Sequence, residues 1–448
     1  MTDLSESSTQ GLARWVLQSR WQDVPQAARL ATQQSWLNWW GCALGGATDP
    51  EVSRLVAVLR SAGVSASTPL LGRPERLDMP SAALVHAFAS NILDYDDTHW
   101  ATAIHPAGPV ASALVAWISQ HPSSGVDVLH AFALGMEVEC AVGLAVSPAH
   151  YAKGWHITAT CGVLGAAAAV GRLMQLSPIQ MSWALGHAAT QAGGLVASLG
   201  SSAKSLNIAH AARNGLLAAM YAQAGLSANA QALEDRFGFG ALMGDGGFSL
   251  GRLPGADVHW QVQDNRFKPY PCGFLLHPAL RACLAIVQSH GVVAADAVAQ
   301  IRLRVAPLAA TRANRPHPAD GMAAKLSLQH AVAMMLLEGE AGVRHFSDAA
   351  LLQSQSLREK VQVLADDSLS QQQAAVEVRL HSAAVLQTHY SPPPGDEHPS
   401  LDDAGLVRKF QDLLAYGAPH CAAQPLLEQL RATEQLSDLR TLIGLAHS

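Results

Sequence analysis

The feature that most constrains this chain is a long succession of apolar helical segments built mostly from small residues. Helical periodicity recurs from about residue 8 to residue 230, interrupted by Pro, Gly or short polar breaks. One of these segments, residues 162–173, reads GVLGAAAAVGRL. Small residues on most faces of a helix are typical of buried helices, because they let neighbouring backbones approach closely. We therefore expect a large helical domain whose helices contact one another on several sides.

The periodicity changes near residue 260. Residues 299–307 alternate Ile, Leu and Val with Arg, and residues 376–381 alternate Val and Leu with charged or polar side chains. A period of two predicts a half-buried strand in each place. Helical patterns lie between the two strands, at about 276–290 and 322–338.

These patterns predict a mainly α fold with three parts along the chain. Residues 1–262 form a large all-helical domain, and residues 263–398 form a smaller α+β domain. After a turn-rich break at 391–399, residues 399–448 return to helix, at 402–416 and 422–446, and are expected to rejoin the helical domain.

Composition adds a constraint on assembly and partners. Charged residues are 14% of the 448-residue chain and apolar residues 49%, so the helical domain has few polar side chains with which to solvate its surface. A large interface between two copies of the chain would cover the apolar surface that is left, and a homodimer is therefore expected. A well-packed monomer is the alternative. The net charge of −6, without a polybasic stretch, disfavours nucleic acid as a partner.

Two observations concern the cellular setting. The first residues, MTDLSESSTQ, lack the charged and apolar regions of a signal peptide, and the six cysteines show no CxxC or zinc-like spacing. Reduced thiols in a cytoplasmic protein are therefore expected. The most apolar region, 126–146, contains Asp127, His130, Glu137 and Glu139, which argues against a membrane span.

The densest polar cluster is DYDDTH at residues 94–99, followed by His105. It comes directly after an apolar helical segment, where the negative end of the helix dipole disfavours carboxylates. A solvated loop with capping residues is one interpretation. A second is a site in which Asp orients His while Thr donates a hydrogen bond to an oxygen-rich ligand. A divalent-metal site is a third, although the spacing matches no standard ligand pattern.

Three further segments place one titratable side chain among small or rigid neighbours. His156 precedes the Ala-rich helix, and Lys204 is the only charged residue between Arg172 and Arg213. Lys268 lies in FKPYPC, where two prolines stiffen the backbone. Each has an ordinary interpretation as a cap, a core histidine or a solvated lysine. Each also suits the binding of an anion, to which a helix N-terminus adds backbone donors.

Other candidates receive no chemical role. Cys272 has no accompanying His/Asn pattern and is interpreted as a buried thiol. The Gly-rich segments 41–46 and 162–171 do not follow a strand in a βαβ unit, so they are interpreted as helix-packing glycines and give no support for a nucleotide cofactor. Lysines and histidines in an otherwise acidic, charge-poor chain instead suggest a small, highly anionic substrate.

Several segments, in order over nearly the whole chain, resemble the MmgE/PrpD family. They are LDYDDTH (93–99), HPAGPV (105–110), GWHITATCGVLGAAAAVGRL (154–173), SAKSLN…AARNG (202–215), KPYPCGFLLHPAL (268–280) and PPPGDEHPSLDD…LVRKF (392–410). The family includes 2-methylcitrate dehydratase, cis-aconitate decarboxylase and iminodisuccinate epimerase. The resemblance implies a helical domain with a smaller α+β lid domain, a homodimer and no organic cofactor. No residue is assigned as a metal ligand.

The resemblance also implies the site residues. Carried over position by position, the family's active-site residues fall on Asp94, Thr98, His105, His156, Lys204 and Lys268, all with the family's residue type. The two lysines are expected to bind substrate carboxylates. His105 is expected to transfer the proton, with Asp94 holding its ring or shaping its pKa, and His156 to be a second acid–base group or a carboxylate donor.

Two more histidines are substrate-binding candidates, and they bear on substrate identity. His277 follows the Lys268 segment, and His330 stands where the family often has Tyr. The lysine segment also departs from the family, with Asn207 and Ala209 where His and Gly are usual. The resemblance therefore leaves the substrate open.

The implied reactions share one kind of intermediate, a carbanion next to a carboxylate. It needs fixed positive charge and hydrogen-bond donors, together with an imidazole that titrates near neutral pH. The expectation is a cofactor-independent lyase on a small di- or tricarboxylate, with dehydration of 2-methylcitrate or a relative as the first choice. An epimerase or decarboxylase on a related polycarboxylate is the alternative, and a non-catalytic carboxylate-binding protein is an alternative from another class.

Overall fold

The computed structural model describes residues 7–246, 248–251, 253–254, 258–393 and 400–447. The α-helices are α1 (Ser8–Gln18), α2 (Gln26–Gly46), α3 (Pro50–Ser61), α4 (Met79–Ile92), α5 (Ala107–Ile118), α6 (Gly125–Val146), α7 (Ala149–Ala152), α8 (Ile157–Leu173), α9 (Pro178–Thr190), α10 (Ser202–Gln223), α11 (Phe239–Met243), α12 (His277–His290), α13 (Pro307–Arg312), α14 (Gly321–Ala324), α15 (Leu328–Glu338), α16 (Asp348–Arg358), α17 (Asp403–Gly417), α18 (Ala423–Arg431) and α19 (Arg440–Ala446).

The strands are short. They are β1 (Thr68–Pro69), β2 (Arg76–Leu77), β3 (Asp97–His99), β4 (Asn265–Phe267), β5 (Val298–Val305), β6 (Val361–Ala365), β7 (Ala374–Leu380) and β8 (Val385–Tyr390). Short 3-10 helices lie at Trp21–Asp23, Val196–Ser198, Gln261–Asp264, Phe274–Leu276, Ala295–Ala297, Val343–Phe346 and Thr433–Gln435.

The chain forms two compact units. The helical unit comprises the described parts of Met1–Ile92, Asp96–Phe267 and Asp402–Ser448, and the α+β unit comprises Leu93–Tyr95 and the described parts of Lys268–Leu401. The fold is mainly α with a smaller α+β part, as the sequence predicted. The C-terminal helices α17 to α19 belong to the helical unit. The sequence predicted the first domain boundary at residue 262, and in the structure the helical unit extends to Phe267. The second predicted boundary, at 398–399, lies outside the described residues.

The centre of the helical unit is α8, which packs against α5, α6, α9 and α10. Its residues from Ile157 to Gly171 are all buried, which confirms the interpretation of this small-residue segment as a buried helix. A Cβ atom at Gly165 of α8 would lie 2.6 Å from the main-chain oxygen of Gly135 in α6. The reciprocal distance, from a Cβ at Gly135 to the oxygen of Gly165, would be 2.8 Å. The two helices thus cross at a separation that only glycine permits at these positions.

Helix α6 is the most apolar long helix of the described chain. Its length and composition would allow it to cross a membrane, but 83% of its most apolar window is buried within the protein. The buried Glu137 carboxylate accepts hydrogen bonds from the backbone N–H groups of Gln261 and Val262. The helix therefore has the environment of a core helix, and it anchors the segment that leads into β4.

The α+β unit is built around a four-stranded sheet with the order β6-β5-β7-β8. Strand β5 is parallel to β6 and antiparallel to β7, and Leu303 of β5 lies opposite Val363 and Val376. The helix α12 packs against β7 and β8, and α15 packs against β6 and α12. Strands β5 and β7 confirm the two strands predicted from alternating periodicity.

Two predicted helices are each broken in the structure. The helix expected at 322–338 is divided into α14 and α15 at Ser327, whose hydroxyl accepts from the His330 N–H and donates to the Arg315 carbonyl. The helix expected at 422–446 is divided into α18 and α19, and Asp438 accepts the N–H of Arg440 at the start of the second. In both places a polar side chain bonds the backbone and starts a new helix.

The helical unit also contains two short antiparallel strand pairs, and three of their strands, β1 to β3, lie in the residues predicted as all-helical. Strand β1 pairs with β2, and β3 pairs with β4. The second pair corrects the interpretation of residues 94–99 as a helix end followed by a loop, because Asp97–His99 form a strand with Asn265–Phe267.

Close crossing of α6 and α8 leads to a stability prediction. Gly165→Ala should lower the free energy of unfolding by about 1 to 3 kcal/mol, because the new methyl group would overlap the Gly135 carbonyl. Gly11→Ala in α1 is the matched control, since no atom lies within 4 Å of the position that its methyl group would take. The control should raise stability by about 0.5 to 1 kcal/mol. Urea unfolding of both variants measures the difference, and equal effects would contradict the close crossing.

Candidate active site

The cluster at residues 94–105 is a buried, hydrogen-bonded structure. Strand β3 pairs in register with β4, so that Asp97 lies opposite Phe267 and Thr98 opposite Arg266. A tight turn follows, in which the ring of His99 contacts the hydroxyl of Thr102 at 2.8 Å. Asp96, Asp97, Thr98, His99 and His105 are all buried, which excludes a solvated loop at these positions.

Asp97 holds the two sides of this cluster together. Its Oδ2 atom accepts from the side-chain amide of Asn265 at 2.6 Å and from the backbone N–H of Ala107 at 3.3 Å. Asn265 also donates to the hydroxyl of Ser35 on α2. Burial raises the pKa of the Asp97 carboxyl to about 7, although the Asn265 hydrogen bond opposes this rise. Asp97 therefore connects β3, β4 and the start of α5 through a carboxyl that titrates near neutral pH.

The ring of His105 is fixed by the main chain of the same aspartate. Its Nδ1 atom lies 2.6 Å from the Asp97 carbonyl oxygen. A carbonyl oxygen only accepts hydrogen bonds, so Nδ1 carries the hydrogen and Nε2 is the nitrogen that can take up a proton. The Thr98 hydroxyl lies 3.3 Å and the Asp96 carboxylate 3.7 Å from the same Nδ1.

The expected role of Asp94, to hold the ring of His105 or to shape its pKa, stays a prediction. The ring is bonded by the Asp97 carbonyl, with Asp96 as the neighbouring carboxylate. Asp94 belongs to the α+β unit, where its Oδ1 atom and its main-chain oxygen accept from Lys268 Nζ at 2.8 and 3.1 Å. Asp94 has a left-handed backbone, with φ of 52°, which Asp adopts more readily than most residues.

The ion pair of Asp94 and Lys268 is nearly excluded from water. Lys268 is 5% exposed and Asp94 9% exposed. A buried ammonium group needs such a partner, because transfer from water into a protein interior strongly disfavours an isolated charge. The structure therefore joins two of the six residues that the family resemblance implied.

The other two members of the set lie at the starts of helices in the helical unit. His156 directly precedes α8, and its N–H donates to the Gly194 carbonyl. It occupies the N-cap position of α8, although its side chain makes no capping hydrogen bond. The same helix contacts His105, whose N–H donates to the Thr158 hydroxyl. Lys204 lies in the first turn of α10 and is partly buried.

The remaining candidates lie in the α+β unit. His277 has Nε2 3.4 Å from the Cys272 carbonyl, and burial together with the Lys268 charge lowers the pKa of its ring to about 3. His330 is fully buried in α15, with Nδ1 against the Ser354 hydroxyl and Nε2 against the His345 carbonyl. Contact of His330 with a substrate would require one of these bonds to break. Cys272 is a buried free thiol whose pKa is raised by burial, in agreement with its interpretation.

A metal ion would need unprotonated ligand atoms in this cluster. Asp96 and His105 are a carboxylate and an imidazole in proximity, but the Nδ1 atom that faces Asp96 donates its hydrogen to the Asp97 carbonyl. A protonated nitrogen is not a metal ligand. Nδ1 is thus occupied by its own hydrogen, and Nε2 is the nitrogen of this ring that could bind either a proton or a metal ion.

Some participants were not singled out by the sequence. Asp96 and Asp97 lay within the quoted cluster without a role, and Asn265 lay in a segment without any motif. A signal existed for the aspartates, because consecutive carboxylates after a helix end require a compensating environment. Asn265 gave none, since its partners Asp97 and Ser35 are remote in sequence.

Comparisons with known proteins extend over both units. Residues 10–250 match the MmgE/PrpD N-terminal domain, and residues 270–435 match the MmgE/PrpD C-terminal domain. Human cis-aconitate decarboxylase is 33% identical over 298 residues, which cover 64% of this chain and 61% of that protein. Cis-aconitate decarboxylase of Aspergillus terreus is 29% identical over 290 residues, covering 61% of this chain and 59% of that protein. The chain thus spans about three fifths of the length of the curated relatives that it matches.

The buried carboxyl of Asp97 predicts a pH dependence of stability. Its pKa in the folded protein, about 7, lies above the ordinary value of 3.8, so the folded state keeps a proton that the unfolded chain releases. The free energy of unfolding should therefore fall as pH rises from 3.8 to about 7, with up to about 1.4 kcal/mol per pH unit from this group. Asp97→Asn removes the titration and should reduce the slope.

Chemical unfolding between pH 4.5 and 7.5 measures that slope. Asp412→Asn, on the exposed face of α17, is the matched control and should leave the slope unchanged. An Asp97→Asn variant with the wild-type slope would mean that this carboxyl is ionised in the folded protein throughout the range.

Proposed function

The chain belongs to the MmgE/PrpD family, and from this premise we propose that it is a cofactor-independent lyase acting on a small tricarboxylate. The relatives named above are cis-aconitate decarboxylases, which makes decarboxylation of cis-aconitate the first reaction to test. Dehydration of 2-methylcitrate, the step expected from the sequence, stays a prediction. An epimerase on a related polycarboxylate is the remaining alternative within the family.

Both lyase reactions require a group that moves one proton at a fixed place. In decarboxylation the carbon–carbon bond to the departing carboxylate breaks, CO2 leaves, and the electron pair left on the substrate takes up a proton. In dehydration a carbon-bound proton is removed and hydroxide departs with a second proton. The proton donor or acceptor is therefore the part of the site that the two reactions share.

The observation that carries this proposal is the fixed ring of His105. With Nδ1 donating to the Asp97 carbonyl, Nε2 is the nitrogen without a hydrogen in the neutral ring and can accept a proton, and the ring cannot change tautomer without losing that bond. The Asp96 carboxylate beside the ring favours its protonated form. The geometry suits a residue that alternates between neutral and protonated states.

The negative charge of the substrate needs fixed cations. We propose that Lys204 and Lys268 each bind one carboxylate of the substrate. Their ammonium groups would also stabilise the negative charge that develops in the carbanion. Lys268 is held on a proline-stiffened segment by Asp94, so its ammonium group is oriented before substrate binds. Because Asp94 already neutralises part of that charge, a substrate carboxylate at Lys268 would share the ammonium group with Asp94.

A homodimer in the cytoplasm is part of the same proposal. The helical unit exposes apolar side chains near the ends of α9 and α10, among them Ile179, Tyr221 and Leu226, at 45%, 37% and 51% exposure. Burial of such residues between two copies of the chain would be favourable. Light scattering at micromolar concentration should give about twice the 47.1 kDa mass of the chain, and a mass near 47.1 kDa would contradict the dimer.

The reaction is tested by NMR in D2O with cis-aconitate, 2-methylcitrate and citrate supplied separately. Release of CO2 with deuterium incorporated at one carbon identifies the proposed decarboxylation. Loss of water from 2-methylcitrate identifies the dehydration predicted from the sequence. Deuterium exchange without a new carbon skeleton indicates an epimerase. Saturable binding without any of these changes would refute an enzymatic function for these substrates.

The roles of the lysines predict a large and selective loss of activity. Lys204→Met and Lys268→Met should each lower kcat/KM by at least about 30-fold, because loss of a charged anchor costs about 2 kcal/mol or more. Lys153→Met, in a side chain that is 44% exposed, is the control and should retain activity. Circular dichroism checks that each variant is folded. Near-normal kcat/KM in a folded lysine variant would remove that lysine from the site.

A further inference from the structure

A line of buried polar side chains in the helical unit leads from α10 to the ring of His105. Ser205 donates its hydroxyl hydrogen to Oδ1 of Asn91, at the end of α4, across 2.8 Å. Asn91 donates from Nδ2 to Oδ2 of Asp96 across 2.6 Å. The same Asp96 oxygen lies 3.7 Å from His105 Nδ1. Ser205, Asn91 and Asp96 are 3%, 1% and 3% exposed, so water does not compete strongly for these bonds.

The chemistry of donors and acceptors gives this line one direction. An ionised carboxylate only accepts hydrogen bonds, so the NH2 side of the Asn91 amide must face Asp96. Its carbonyl side then faces Ser205, whose hydroxyl can donate. In this orientation the Ser205 hydroxyl donates to the Asn91 carbonyl oxygen and stabilises the amide as a donor to Asp96.

Donation from Asn91 favours the ionised form of Asp96. A carboxylate removed from water tends to take up a proton unless hydrogen bonds or positive charge compensate for the lost solvation. The bond from Asn91 is short and charge-assisted, the kind that contributes most to such compensation. The negative charge beside His105 is thereby retained, and it favours the protonated ring.

Other charged and titratable groups belong to the elements around His105. Among them are Asp97 on β3, Glu139 on α6, His156 before α8 and Lys204 on α10, while Lys409 lies on α17 and Asp94, two positions before Asp96, is paired with Lys268. The Asp97 carboxyl is turned towards Asn265 and Ala107, and Glu139 and Lys409 act on that carboxyl electrostatically. Asp96 is distinguished by its distance of less than 4 Å from the ring nitrogen and by its own buried donor.

We propose that Asn91 is a positioning residue that, oriented by Ser205, keeps the Asp96 carboxylate ionised beside His105 and so sets the pH range in which His105 exchanges a proton with the substrate. The inference deepens the proposed function and rests on it for the catalytic role of His105. Because Ser205 directly follows Lys204, the same bonds also tie the helix of the carboxylate-binding lysine to the proton-transfer residue.

The test compares Asn91→Ala and Ser205→Ala with Ser90→Ala. Ser90 is a matched control: it is fully buried on the same helix, but its hydroxyl donates to the Ala87 carbonyl outside this line. In Asn91→Ala, His105 should titrate on the order of 1 pH unit lower, because a protonated Asp96 no longer favours the charged ring. Ser205→Ala should give a smaller shift in the same direction, and Ser90→Ala none.

Two readouts are needed. The first is the titration of the His105 ring by carbon-13 NMR, assigned with a His105→Gln variant and recorded without substrate. The second is the pH profile of kcat/KM, in which the limb that His105 controls should move to lower pH by the same amount. A merely structural role would lower stability and leave both readouts unmoved.

A double variant decides whether Asn91 acts through Asp96. Asp96→Asn removes the charge directly and should shift the His105 titration at least as far as Asn91→Ala does. Adding Asn91→Ala to Asp96→Asn should then produce no further shift, since both changes remove the same interaction. Additive shifts, or an unshifted titration in a folded Asn91→Ala protein, would overturn the inference.

The two proposals fail in distinguishable ways. If no tricarboxylate is turned over, the proposed function is refuted, while the substrate-free titration still decides the effect of Asn91 on His105. If turnover occurs and the pH limb of Asn91→Ala is unmoved, the function stands and the inference is wrong. Should Asn91→Ala not fold, Ser205→Ala, which removes a single hydroxyl, carries the test.

Discussion

The interaction on which the candidate site depends is the pairing of β3 with β4. Three residues of each strand bring Asp97 against Asn265, although 168 positions separate them in the chain. This pairing fixes the main chain of Asp97, whose carbonyl in turn holds the ring of His105. The chain also enters the α+β unit directly from these strands, since Lys268 follows β4 and Asp94 lies three residues before β3. Two very short strands thus fix the main chain that holds His105 in the helical unit.

The helical unit surrounds this pair with a largely apolar interior that also buries several carboxyls. Helices of small residues leave little polar surface, and the carboxyls that remain, such as those of Asp97 and Glu139, are removed from water. Burial raises the pKa of Glu139 well above the ordinary value, with the nearby Asp97 as a second cause. Such an interior strengthens every charge interaction within it. The protonation of the His105 ring is therefore sensitive to single hydrogen bonds, such as the one that Asn91 donates to Asp96.

The sequence predicted those parts of the fold that depend on local pattern. Buried small-residue helices, strands β5 and β7 and the return of the C-terminal helices all follow from periodicity within one segment. Strands β1 to β4 did not, because two or three residues carry no detectable period and their partners are remote. The broken helices were missed for a related reason, since Ser327 and Asp438 act through bonds to particular backbone atoms.

For the candidate site, the resemblance implied members, which stay predictions, and the structure adds the contacts of each. The family resemblance implied Asp94, His105 and Lys268, and each lies in a buried, bonded position. Spacing could not assign the hydrogen-bond partner of each aspartate. The aspartates at 94, 96 and 97 are close in sequence but bond different neighbours, because the left-handed backbone at Asp94 turns the chain. Asp94 bonds Lys268, while Asp96 and Asp97 serve His105.

The central claim is that the Asp97 carbonyl fixes the tautomer of His105 and leaves Nε2 for proton transfer. Nitrogen-15 NMR of ring-labelled histidine in the wild-type protein tests it most directly, with the His105 signals assigned by loss in His105→Gln. The account predicts that neutral His105 carries its hydrogen on Nδ1 and that this hydrogen exchanges slowly with water. A neutral ring with its hydrogen on Nε2, or averaged between the two nitrogens, would contradict the account.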